Sequence, residues 1–519
     1  MRMPAPTFDR RPLRTPCAVL VAVLTVVLSG CAPVDSKDST EPPVSVFESA
    51  PCPSPNYPGH PELDLGSEFS CGFLSAPENR ANPGGRKIKI AVARARAQSP
   101  DPRPDPLVYL IGGPGGSAVA SAVTLTGFGL NRDRDVIFID QRGTLHSDPF
   151  LSCPEIDQFM ADSAGMSVQS QSTADKDLDA VRACRTRLAS DGYDLSAYNT
   201  TENAADIADL RTAMKIDQWN VYGVSYGSDL ALQLLRDHPE GIRSVVLDSL
   251  VPPQTNVMTQ WWPSAAEGFR ALFDACAAQQ GCAAAYPDLS QEFTSAVQRL
   301  AKAPLSVEIP PSGAQPGRRV VIDGYTLANL VVQSSLIAGS YAALPHTIHA
   351  IANGDGIAAA RTVLAAIPAP GGGYGLIYGV FCREDAALTD PAAALAAARQ
   401  ALPDLPVEVL SLAPQAARLF DECAIWDAGR ADAAVQEPAR SNVPVLLLTG
   451  TFDAVTPPSQ AHEAAATLPH SRVVRFPGLG HDVLAASDCG RQIMAEFLNR
   501  PDRYQTRCAD EMRPPTFIG

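Results

Sequence analysis

Three residues of this chain could together turn an alcohol into a nucleophile. Ser225 stands in Gly-Val-Ser-Tyr-Gly (223–227), Asp453 in LLLTGTFDAVTPP and His481 in FPGLGHDVL. A serine hydroxyl attacks poorly near neutral pH unless a base within hydrogen-bond reach takes its proton. That base needs a carboxylate to fix its tautomer and to stabilise the imidazolium that forms. The pattern G-x-S-x-G is weak by itself, because small residues are common enough to produce it by chance. Its setting is stronger. WNVYG (219–223) reads as a buried strand, and DLALQLLRD (229–237) carries apolar residues at helical spacing, so Ser225 falls on a strand–turn–helix corner.

Six histidines follow Ser225, at 238, 346, 349, 462, 470 and 481. Only His481 comes after the last predicted strand in a loop of small residues, and Asp453 follows the preceding strand in a turn. The order Ser, Asp, His at three strand ends assigns Ser225 as nucleophile, His481 as general base and then acid, and Asp453 as its orienting carboxylate. The developing oxyanion needs fixed donors. One expected donor is the backbone N–H of Tyr226. The other comes from Gly112-Gly113-Pro114-Gly115-Gly116, and we assign it to Gly113. No Lys-Ser/Thr closes this glycine loop, which excludes a phosphate cradle.

Six apolar runs bounded by turn residues read as buried parallel strands: 107–112, 135–140, 219–223, 244–249, 443–450 and 472–477. NAADIADLRTAM (203–214) reads as a helix between the second and third. From 252 to 440 the alternation stops, and the segment is alanine-rich and helical in pattern, with Trp261-Trp262 and a GGGYG break at 371–375. The expected fold class is therefore α/β: a mostly parallel central sheet interrupted by a helical cap insertion. The core occupies 51–251 and 441–519, and the cap 252–440.

At the N-terminus, Arg2, Arg10, Arg11 and Arg14 precede an apolar run from Ala18 to Leu28, too short to span a bilayer but suited to a signal peptide. The run ends in Leu-Ser-Gly-Cys31, which resembles a bacterial lipobox. Residues 1–30 are thus expected to be removed, Cys31 to be lipidated, and 31–50 to tether the fold to the outer face of the cell membrane. The Arg10-Arg11 pair leaves Sec and twin-arginine export both open. Of the twelve cysteines, Cys17 lies in the expected signal segment, and the ten after Cys31 suit an exported, disulfide-bonded chain. Nearest pairs would close short loops at Cys52–Cys71, Cys153–Cys184, Cys276–Cys282, Cys382–Cys423 and Cys489–Cys508, although spacing leaves the connectivity open. The 519 residues are 45% hydrophobic, carry net charge −15 and hold no Lys/Arg-rich block, which argues against nucleic acid as a partner. Neither a metal nor a cofactor is expected, and the oligomeric state is left open.

GGPGGS (112–117), DQRGTLHSDP (140–149), GVSYG, GTFDAVTPP and PGLGH together resemble the S33-type α/β-hydrolases. Within them the chain is similar, from about Cys71 to Cys508, to the secreted tripeptidyl aminopeptidases of actinobacteria and to a related envelope lipoprotein group described as carboxylesterase or serine protease. Prolyl aminopeptidases are more distant, and Ile111 stands where they often carry histidine. The resemblance implies cleavage near a free peptide N-terminus, with acidic cap residues holding the α-ammonium. Glu384 and Asp385 in GVFCREDA are the candidates. It also implies that Asp140 and Arg142 brace the oxyanion loop. Two substrate classes fit this machinery, a peptide with a free amine or an acyl ester. A lipoprotein serving only adhesion would have no need to retain the whole constellation.

Overall fold

The computed structural model describes residues 45–311 and 317–518. The expected signal segment 1–30, the lipidation residue Cys31 and tether residues 32–44 lie outside the described residues. The end of the expected tether is corrected: Val46–Ala50 form an edge strand of the central sheet, so the core begins before residue 51.

The core is a nine-stranded sheet in the order β1 (Val46–Ala50), β2 (Phe69–Pro77), β3 (Lys87–Ala95), β5 (Arg134–Ile139), β4 (Arg103–Leu110), β6 (Trp219–Val224), β7 (Ile242–Asp248), β10 (Val445–Gly450) and β11 (Ser471–Phe476). From β5 to β11 every pairing is parallel. These six strands are those read from the apolar runs. Val108, Leu110, Ile137, Val221, Val245 and Leu447 are fully buried because helices cover both faces, so one unbroken apolar run replaces alternation.

The antiparallel strands β1, β2 and β3 extend the sheet beyond the sequence reading. In β3 the first half alternates, with Lys87 and Lys89 outward and Ile88 and Ile90 buried. In its second half Ala91, Val92 and Ala93 are buried together, which erases the period of two.

Residues 252–440 are chiefly helical, but the expectation of an all-helical cap is corrected by one antiparallel hairpin, β8 (Leu305–Ile309) with β9 (Arg318–Ile322). Its β-branched Val307, Val320 and Ile322 turn inward to a cap core formed around Phe269, Phe293 and Val331. Two helices preceding β6, Pro154–Ser163 and Gln171–Ser190, also reach the cap. Ala164 accepts from the Val321 N–H, and the Ser167 hydroxyl donates to Asp323. The cap core in turn includes Phe452 and Ala454, the two neighbours of Asp453.

All five nearest-neighbour disulfides are formed. Between Cys52 and Cys71 the chain runs over the core. Asn56 donates to the Leu145 and Ser147 carbonyls, and the Tyr57 hydroxyl donates to Asp157.

Candidate active site

Ser225 occupies the turn between β6 and the helix Tyr226–Asp237, with φ 56° and ψ −130°. Strained backbone of this kind persists where the surrounding structure over-determines it. A Cβ on Gly223 would lie 2.2 Å from the Gly227 carbonyl, and one on Gly227 would lie 2.0 Å from the Leu110 carbonyl. The two glycines of the motif are therefore steric requirements of the corner.

Asp453 follows β10 and is fully buried. One of its oxygens accepts the Val455 and Thr456 N–H groups at 2.9 Å, and the other accepts the Thr456 hydroxyl at 2.6 Å. The second oxygen also meets Nδ1 of His481 at 2.8 Å. Burial pushes the Asp453 carboxyl upward, but the His481 charge and these hydrogen bonds outweigh it and hold it below the ordinary value. Burial lowers His481, yet Asp453, then Asp482 and Asp248, raise it above its ordinary 6.5 overall. The Asp453–His481 pair thus supplies an oriented imidazole with its charged form stabilised.

Ser225 and His481 line one cavity of about 1070 Å³. No hydrogen bond joins them in this structure; such contacts commonly tighten only around a bound substrate. Gly112, Gly113 and Pro114 form the wall beside Ser225. A Cβ on Gly112 would lie 2.6 Å from Ser225 Cβ, so this loop approaches the serine as closely as backbone can. Among the described residues no acceptor from the chain takes the Gly113 N–H. Tyr226, as the first residue of its helix, has no intrahelical acceptor. Both amides are available to a developing oxyanion.

The loop is braced from behind. The Asp140 carboxylate accepts from the Ser117 hydroxyl and the Val119 N–H at 2.9 Å, and Gln141 donates to the Ile111 carbonyl at 2.8 Å. Arg142 is fully buried against Asp206, with Nε and a terminal nitrogen each 2.8 Å from a carboxylate oxygen. From the cap, Gly373 donates to the Gly115 carbonyl at 3.3 Å.

Glu384 and Asp385 lie in the π-helical segment Phe381–Asp385 and line the same cavity. They are buried rather than solvated. Glu384 accepts the Thr200 N–H at 2.7 Å and Asp385 accepts the Val257 N–H at 3.0 Å. Burial pushes Glu384 up to about 7 and Asp385 up to about 8. A third carboxyl, Asp229, was not anticipated from sequence. It lies one turn past Ser225, one of its oxygens is buried without a partner, and burial with the nearby charges of Glu384 and Asp385 raises it strongly. The signal available was an acid inside an otherwise apolar helix start. Asp177 and Glu422 also line the cavity, both raised by burial. Trp261 lines it too, whereas Trp262 is cap packing, its indole N–H held by the Leu412 carbonyl.

The chain is 30% identical over 203 residues to a tripeptidyl aminopeptidase of Streptomyces lividans, covering 37% of each chain. It is 24% identical over 285 residues to serine protease Hip1 of Mycobacterium tuberculosis, covering 50% of this chain and 52% of that protein. The matches thus span between about a third and a half of these relatives. A crystal structure of proline iminopeptidase from Mycobacterium smegmatis superposes with a TM-score of 0.40 at 15% identity, covering 82% of this chain and 98% of that one. Residues 105–486, which carry Ser225, Asp453 and His481, match the family described as alpha/beta hydrolase fold, and the chain belongs to that family.

Proposed function

We propose that this protein is a serine hydrolase that cuts short pieces from the free N-terminus of peptides. Ser225 attacks the scissile carbonyl as His481 takes its proton. The Gly113 and Tyr226 amides hold the oxyanion, and His481 returns the proton to the leaving amine. Water activated by the same imidazole then hydrolyses the acyl-enzyme. No step calls for a cofactor.

One observation carries the reading of an aminopeptidase. Asp229, Glu384 and Asp385 share the cavity of Ser225, and no ion pair among the described residues joins them to a basic side chain. Buried carboxyls with no ion-pair contact suit an incoming ammonium. Asp229 stands one helical turn, about 5.4 Å of rise, beyond the serine. Peptide spans about 3.3–3.6 Å per residue, so an ammonium held by this group leaves room for only a few residues before the cut. The naming of one relative as a tripeptidyl aminopeptidase agrees with such a product.

A second reading rests on the cavity's apolar wall, which includes Phe159, Met160, Ile156, Trp261 and Phe381. That wall would suit the acyl chain of an ester, and the same residues would then serve a carboxylesterase. Under either reading we propose that Cys31 anchors the mature protein in the outer face of the cell membrane.

The test is hydrolysis by residues 32–519 of an Ala-Pro-Ala-linked chromophore, its N-acetylated twin and a short acyl ester, with Ser225→Ala as background. A strong preference for the free amine supports the aminopeptidase. Equal rates on the acetylated twin sink the ammonium site, and turnover of the ester alone selects the esterase.

A further inference from the structure

Asp248 ends β7, between the strands that deliver Ser225 and Asp453, and is fully buried. Its backbone carbonyl accepts the N–H of Ser225 at 3.0 Å. Its carboxylate reaches the turn that follows the base: one oxygen accepts the Val483 N–H at 3.0 Å and the other the Leu484 N–H at 2.9 Å. The Ser249 hydroxyl donates to the same carboxylate at 3.1 Å and accepts the Asp482 N–H at 2.8 Å. Residues 248 and 249 therefore hold the nucleophile's own amide and all three amides after His481.

The backbone around this junction is under strain. Of the six non-glycine residues with positive φ among the described residues, Ser225, Ser249 and Asp482 meet here, at 56°, 49° and 62°. Strain of this kind persists only where surrounding bonds over-determine it. Because Ser225 and His481 share no hydrogen bond of their own here, their separation is set by the elements that carry them.

We infer that Asp248 is a positioning residue, the tie that fixes the His481 imidazole against the Ser225 hydroxyl. The inference rests on the triad reading given above and extends it to a residue outside the triad. The carboxylate form suits the role, since both oxygens must accept N–H groups, and a neutral carboxyl or an amide turns one of them into a donor. Burial and the Asp482 charge push the Asp248 carboxyl up to about 7 against the two N–H bonds that favour its ionisation. The charged and titratable groups facing His481 are Asp453, Asp482 and Asp248.

The experiment compares wild type with Asp248→Asn, the milder Ser249→Ala, and Asp105→Asn. Asp105 is an ion-pair partner of Arg134 at the opposite end of the sheet, so its variant serves as a stability control. Each is scored for the rate of fluorophosphonate labelling at Ser225, for kcat and KM on whichever substrate the wild type cleaves, and for Tm. Asp248→Asn is expected to slow labelling and kcat about 100-fold, the cost of a misplacement near 1 Å, with KM within about twofold. Ser249→Ala should slow both about tenfold. Asp105→Asn should lower Tm and leave labelling unchanged. If Asp248→Asn does not fold, Ser249→Ala decides alone. Wild-type labelling rates in the Ser249 and Asp248 variants would overturn the inference and leave the triad standing. A wild-type chain that neither labels nor hydrolyses overturns the triad reading and this inference with it.

Discussion

The main-chain N–H of His481 donates to the carbonyl of Ser335, 2.7 Å away, so the loop that carries the base is fastened to the cap. The cap holds the acid loop as well, through the Tyr341 hydroxyl on the Phe452 carbonyl and the stacking of those two rings at 4.7 Å. The insertion is thus part of the frame on which the Asp453–His481 pair is mounted.

Gly480 tests this fastening. A Cβ there would lie 2.3 Å from the Ser335 carbonyl. Gly480→Ala should push His481 off its seat, lowering kcat at least about tenfold while labelling by a fluorophosphonate slows in step. An unchanged labelling rate would show that the cap contact is incidental.

Gly112→Ala sets the opposite wall against the nucleophile, with the new Cβ 2.6 Å from Ser225 Cβ. We expect kcat to fall about 100-fold with the fold retained by circular dichroism. Gly84→Ala, where an added Cβ meets nothing within 4 Å, is the matched control.

The acid limb of the pH profile should report His481. The base works neutral, so kcat rises as pH passes its pKa, which Asp453 holds above the ordinary 6.5. Asp453→Asn should move that limb to lower pH and cut kcat about 10⁴-fold. The stability contributions have opposite signs. The raised His481 stabilises the fold below its unfolded pKa and loses that contribution as pH climbs through the folded one. The lowered Asp453 stabilises above its unfolded pKa and loses its share as pH falls through the folded one.

Glu384 and Asp385 give a separate signature. With folded values of about 7 and about 8, these carboxyls favour the neutral form, so stability declines as pH rises from their unfolded values toward 8. Glu384→Gln and Asp385→Asn should flatten the fall of Tm over that window. For a free-amine peptide, KM should drop as they ionise and rise again once the α-amino group, near 7.7–8.0, loses its proton. The acetylated peptide should show no such minimum.

The Cys382–Cys423 disulfide closes a 41-residue separation directly beside Glu384. Its replacement by two serines should cost about 3–4 kcal/mol in urea unfolding by the chain-entropy estimate. It should also raise KM for free-amine peptides more than it changes kcat. A KM left alone would mean that the acidic segment holds its shape without the covalent tie.

Much of this was legible in the chain. Uninterrupted runs such as VLLLTG announced strands covered on both faces, and the corner at Ser225 was announced by glycines that sterics demand. What stayed hidden depends on contacts between distant segments. Asp229 and Asp248 are single acids in apolar runs, and neither shows its surroundings until β6, β7 and the His481 loop are brought together. The hairpin β8–β9 was lost inside an alanine-rich stretch because each strand is only five residues long.

The Cys52–Cys71 bridge also determines how the molecule bears load. A pull applied at residue 45 runs along β1, reaches Cys52 and crosses the sulfurs into β2, a central member of the antiparallel ladder. The covalent shortcut leaves residues 53–70 slack. Asn56 and Tyr57, which hold the loop at 145–147 and Asp157, are in that bypassed segment. A tug on the N-terminal side would therefore be spent on peeling an edge strand, and the catalytic loops would not feel the tension.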